Sequence, residues 1–239
     1  MEENKPLGAR LGEGMFCIIY LVYTFAMIFI MKRNYNIFSE MDDMVNVFRF
    51  GFGFMMALLL VGGDLFHLVP RIIVSFKGSM WKKDFFFGLG TLLSSITMTL
   101  FYNVLIAMGD SMEYNESQYN LYIEKTILIL TVIRIIILIL PQNKWYSKEP
   151  VRKWAVIRNI PFTLIGILTV IGFINVMINA SIYPKTFYLI IMITVILSFA
   201  FYLPVAIWGK ENPKIGVLML PKTMCYMIMI GVITFWKII

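Results

Sequence analysis

An aspartate, the chain's single histidine and an arginine stand at Asp64, His67 and Arg71, closing a long apolar run that begins near Val47. Their i, i+3, i+7 spacing stacks them on one face of a helix. An unpaired charge inside a membrane span costs at least about 2.5 kcal/mol, so this stack needs compensation and points to a cavity rather than a plain anchor. The chemistry open to it is acid–base work or ion pairing. Asp64 would serve as base or proton acceptor, His67 as its acid or base partner, and Arg71 as a phosphate ligand. Asp64 leads these candidates because a short carboxylate cannot reach the headgroups as a long cationic side chain can.

Other apolar blocks supply further polar groups. Arg134 lies about six residues from the end of the fourth block, and Lys222 lies in the last, with Cys225 and Tyr226 on its face. Asp64 falls about 10 Å from the end of its span. All three then share one leaflet, which predicts an Asp64–Lys222 or Asp64–Arg134 pair within the bundle. The competing arrangement is snorkelling of Arg134 or Lys222 to the headgroups, the level where Arg71 is also expected. The third block carries Ser94, Ser95, Thr97 and Thr99, then Tyr102 and Asn103. Such hydroxyls either bond back to their own helix or line a pocket as neutral partners for a headgroup. Ser198, Tyr202 and Pro204 of the sixth block could join them. The candidate site is therefore Asp64 and His67 as reactive groups, with Arg71, Lys222, Arg134, Tyr226, Ser94, Ser95 and Tyr102 as binding groups. Cys17 and Cys225 give no disulfide framework, no metal spacing is present, and no cofactor is implied.

The elements that must position these groups are membrane helices. Of 239 residues, 59% are hydrophobic and 15% charged, with a mean hydropathy of +0.79. That apolar surface exceeds what a soluble core can hide. It falls into seven continuous blocks of the length a helix needs to cross about 30 Å of hydrocarbon. The blocks are 15–31, 47–70, 85–108, 122–140, 160–178, 187–208 and 215–236. Continuous rather than alternating hydrophobicity excludes a β-barrel. The expected fold is all-α: a polytopic bundle of seven transmembrane helices in one domain spanning residues 1–239.

The net charge of +7 follows topology and does not signal nucleic-acid binding. One basic loop carries Arg71, Lys77, Lys82 and Lys83, the next Lys144, Lys148, Arg152, Lys153 and Arg158, and a third Lys210 and Lys214. The loops between them are poorly basic, so the positive-inside rule predicts a cytoplasmic N-terminus and an external C-terminus. Lys32 and Arg33 run against the pattern, beside Glu40, Asp42 and Asp43. A short leader with Lys5 and Arg10 precedes the first block without a small-residue cleavage pattern, which predicts a retained anchor in the plasma membrane. The glycosylation triplets at Asn115 and Asn179 fall in predicted outer loops and are common enough by chance to say little.

The second and third blocks resemble those of the YhhN family of lysoplasmalogenase-like membrane proteins. The likeness rests on Gly51-Phe52-Gly53, Gly63-Asp64, Phe85-Phe86-Phe87-Gly88-Leu89 and Phe101-Tyr102. Looser support comes from Ser198, Pro213 and the Thr223–Tyr226 stretch. The resemblance implies an intramembrane hydrolase of an ether or vinyl-ether lipid with Asp64 in the reacting centre. Against the family pattern, Thr99 stands where a His is usual, Ser198-Phe199 replaces a Ser-Asp pair, and seven blocks replace eight helices.

Two functional classes follow. One is a membrane-embedded binding or transport protein for a small amphiphile or lipid, with an Asp–Lys/Arg/His cavity toward the cytoplasmic leaflet. The other is the hydrolase, with Asp64 activating water, His67 as partner and Arg71 or Lys222 on phosphate. A single His and the lack of a second carboxylate favour the first. Expected partners are membrane lipids and a small amphiphilic ligand, with self-association or a membrane partner left open.

Overall fold

The computed structural model describes residues 7–113, 118–147, 152–209 and 212–236. Lys5, Asn115, Lys148 and Lys210, which entered the topology and glycosylation expectations, lie outside the described residues. Seven α-helices follow one another, with no strand among the described residues: α1 Leu7–Glu40, α2 Met44–Lys77, α3 Lys83–Met112, α4 Gln118–Ile139, α5 Arg152–Asn179, α6 Lys185–Trp208 and α7 Met219–Phe235. Six of them are long and apolar enough to cross a membrane. The exception, α4, is also long, but Glu124, Lys125 and Arg134 interrupt its apolar sequence. The chain is a helical integral membrane bundle.

The helices overrun the hydropathy blocks. At about 1.5 Å per residue, the 34 residues of α1 and of α2 each extend about 50 Å. Hydropathy marks where lipid ends, and a helix can continue through the polar residues beyond. Between α1 and α2 the chain turns at Met41–Asp43, where the Asp43 carboxylate accepts from the Asn46 backbone N–H and caps α2. Nor does α2 stop at Pro70, as its block does. It continues to Lys77 and ends at Gly78, whose φ of +82° suits the left-handed turn after a helix. About 20 Å of helix therefore separates Asp64 from the end of α2, twice the depth counted from Pro70. The last block also divides. Pro213–Leu218 is a 3₁₀ turn, and Lys222 sits in the first turn of α7, next to a Pro221 that has no N–H to donate.

Consecutive helices pack antiparallel, and α7 returns to α1 and α2, closing a ring in which α3 also packs against α5. One end of the ring carries the basic loops. The α2–α3 contact is the most intimate, and two glycines make it so. A Cβ at Gly63 would run into Thr97 and the Ser94 backbone, and one at Gly90 into the Phe66 carbonyl and the His67 backbone. Pro70 leaves that Phe66 carbonyl without its i+4 donor, and α3 approaches at that point. The two glycines thereby bring Asp64 beside Ser94.

At the opposite end a polar clasp joins the helix termini. The Arg49 guanidinium donates through Nε to the Ile233 carbonyl and through Nη2 to the Trp236 carbonyl, both at 2.6 Å, capping the end of α7. The Glu113 carboxylate accepts from the backbone N–H groups of Ser181, Ile182 and Tyr183 and from the Tyr188 hydroxyl, pinning the α5–α6 turn to the end of α3. Burial pushes the Glu113 carboxyl up, but the hydrogen bonds from Tyr188, Ile182, Ser181 and Tyr183 outweigh it and hold the group below the usual carboxylate range.

Candidate functional site

Inside the basic half of the ring lies a cavity of about 110 Å³. At roughly 10–15 Å³ per water centre, that is room for several waters or one compact polar group. All seven α-helices contribute to its wall. Of the nine residues singled out from sequence, eight line it: Asp64, His67, Arg71, Ser94, Ser95, Arg134, Lys222 and Tyr226. The ninth, Tyr102, does not. Its hydroxyl lies behind the wall, 3.1 Å from Ser198 Oγ and 3.2 Å from the Tyr226 hydroxyl, so it buttresses Tyr226 rather than facing the space.

Asp64 lacks the direct ion pair expected with Lys222 or Arg134. Its partners are neutral: the Tyr20 hydroxyl donates to Oδ2 at 2.7 Å and the Ser94 hydroxyl to Oδ1 at 2.8 Å. Hydroxyl donors are short and fixed, and the close α2–α3 contact delivers Ser94 to the carboxylate. Four other hydroxyls of α3, on Thr91, Ser95, Thr97 and Thr99, turn back on their own helix. Thr91 donates to the Phe87 carbonyl, Ser95 to Thr91, Thr97 to Ser94 and Thr99 to Ser95. Ser95 therefore lines the cavity with its hydroxyl already engaged.

Arg134 does not snorkel. It is 1% exposed, because it lies on the inward stripe Ile127–Thr131–Arg134–Leu138 of α4, while Leu128, Ile129, Val132 and Ile136 face outward. Its guanidinium carbon stands 3.4 Å from the centre of the Phe162 ring, a cation–π contact, and its Nε and Nη1 have no hydrogen-bond partner. Lys222 is 8% exposed, with its ammonium over the rings of Tyr202 at 4.8 Å and Tyr226 at 5.5 Å. Arg71 lines the cavity as well, and its Nε is buried without a partner. His67 meets the edge of Phe87, and its Nδ1 is likewise buried and unpartnered.

Sequence reasoning missed Tyr20, although Cys17, Tyr20 and Thr24 form an i, i+3, i+7 polar stripe on an otherwise apolar helix. It also missed Phe162, which nothing distinguishes among twenty phenylalanines. Arg49 and Glu113 escaped too, yet an arginine between two phenylalanines near the start of a span was a readable signal.

The walls between the charges are apolar, with Phe16, Leu68, Met98, Phe162, Met219 and Leu220. No group of three or more metal-capable side chains occurs among the described residues. The arrangement can hold a charged or strongly polar group against an apolar surround. No family model, curated protein or solved structure matches this chain, so its chemistry rests on the geometry of this site.

Proposed function

We propose that this chain is a membrane-embedded binding or transport protein for a small amphiphile, residing in the plasma membrane with its N-terminus in the cytoplasm. The observation that carries this reading is the cavity. Side chains from α2, α4 and α7 bring Asp64, His67, Arg71, Arg134 and Lys222 to one space in the basic half of the bundle, between apolar walls. A purely structural bundle would be more stable with apolar residues at these positions, since buried charges cost more than they return unless something compensates them. A polar head inserted among these groups, with its chain against apolar walls or lipid, would supply that compensation.

A lipid hydrolase is the second reading, supported by Asp64 and His67 lining one space a single helical turn apart and by the partial likeness to the YhhN family. In it Asp64 would take a proton from water and His67 would deliver one to the leaving oxygen. The Tyr20 and Ser94 hydroxyls count against it, because each already donates to one oxygen of the proposed base, where an attacking water would have to donate. Purification in mild detergent, lipid extraction and incubation with wild type or Asp64→Asn separates the two readings. Retention of an intact amphiphile by wild type supports binding. Consumption of that amphiphile by wild type but not by Asp64→Asn would establish the hydrolase instead.

A further inference from the structure

We infer that the polar end of the ligand is a compact oxyanion, a phosphate monoester or carboxylate without an accompanying ammonium; this rests on the amphiphile-binding reading above. Three cationic side chains, Arg71, Arg134 and Lys222, line the cavity against one carboxylate, Asp64. That carboxylate offsets one positive charge, and its oxygens already accept from Tyr20 and Ser94. The cavity keeps an excess of positive charge between apolar walls, where an entering anion is favoured and a cation repelled.

Arg134 calls for acceptor atoms on the ligand. Buried guanidinium N–H groups are almost always hydrogen-bonded, yet its Nε and Nη1 lack partners at 1% exposure. Phe162 covers its face at 3.4 Å, so its N–H groups can meet a ligand only in the guanidinium plane. Donors without partners call for acceptor oxygens, which a carboxylate or phosphate supplies and an ammonium cannot. The unpartnered Nε of Arg71 offers a second donor from α2. A zwitterionic head would bring its own ammonium in among three cations, so phosphocholine and phosphoethanolamine heads are disfavoured.

The test is calorimetric titration of the full chain in neutral detergent with dodecyl phosphate, laurate, dodecylphosphocholine and inorganic phosphate. Dodecyl phosphate or laurate should bind about tenfold or more tightly than dodecylphosphocholine, the size of one charge-assisted hydrogen bond. Arg134→Gln should remove most of that preference, and Asp64→Asn should not weaken the oxyanion. Should Arg134→Gln fail to fold, Lys222→Gln provides the same comparison. Equal binding of dodecylphosphocholine, or a preference untouched by both variants, overturns the inference and leaves amphiphile binding standing. If inorganic phosphate binds as tightly as dodecyl phosphate, the oxyanion site stands and the amphiphile reading falls. If no probe binds, both fall.

Discussion

At the scale of single residues, the carboxylate of Asp64 is held by neutral donors while Arg71 and Arg134 keep unpartnered N–H groups. Removing either donor leaves a half-buried charge short of a partner, so Tyr20→Phe and Ser94→Ala should each cost about 1 kcal/mol of stability. Thermal denaturation in detergent reads this, and a double-mutant cycle between Tyr20→Phe and Asp64→Asn should show coupling. Additive losses would mean that the Tyr20–Asp64 bond contributes nothing of its own. The candidate residues were legible in the sequence because ionisable side chains in apolar blocks are few. Their pairing was not legible. Opposite charges suggested Asp64–Lys222, but the partner of a half-buried carboxylate is set by which helix comes closest, and glycines in α2 and α3 decide that. Arg134 shows the same limit. The apolar pattern of α4 is nearly uniform, so only Asn120 and Thr131, about three turns apart along the buried face, marked the side that carries Arg134 inward.

At the scale of helices, the α2–α3 contact is the element on which the site depends. Gly90→Ala would push a methyl group into the Phe66 carbonyl and the His67 backbone, which cannot give way as a side-chain end can. It should destabilise the bundle by about 1–3 kcal/mol, the usual cost of overpacking. Gly62→Ala, whose added carbon meets nothing, should be neutral or stabilising by up to about 1 kcal/mol through helix propensity. Equal melting temperatures for the two variants would contradict the packing account. Helix number was readable from hydropathy, whereas helix ends were not. Lys32, Arg33 and Arg71 end apolar blocks without ending helices, because the backbone bonds of a helix are satisfied in water and in lipid alike. Pro70 misled in the same way. Its missing N–H interrupts one bond, and α3 packs at the carbonyl it frees.

At the scale of the whole molecule, the two ends of the bundle do different work: a clasp at one, a cavity at the other. Arg49→Met removes the cap on the Ile233 and Trp236 carbonyls and should cost about 2–4 kcal/mol, most visibly as faster hydrogen exchange at the end of α7. Glu113 adds a pH dependence to the clasp. Its carboxyl titrates lower in the folded chain than in the unfolded one, so its stabilisation is complete above the unfolded value of about 4.3 and is lost as pH falls toward the folded value. Glu113→Gln should be less stable at neutral pH and show a flatter profile on acidification; parallel profiles would remove Glu113 from the account. With the clasp holding the far termini, the central claim is that the basic-half cavity is a ligand site. Native mass spectrometry of the gently purified protein tests it most directly, comparing wild type with Thr91→Trp, which fills the cavity without removing a charge. The account predicts one retained amphiphile on wild type and its loss in Thr91→Trp. A wild type without an adduct, or an adduct that survives undiminished in Thr91→Trp, would contradict it.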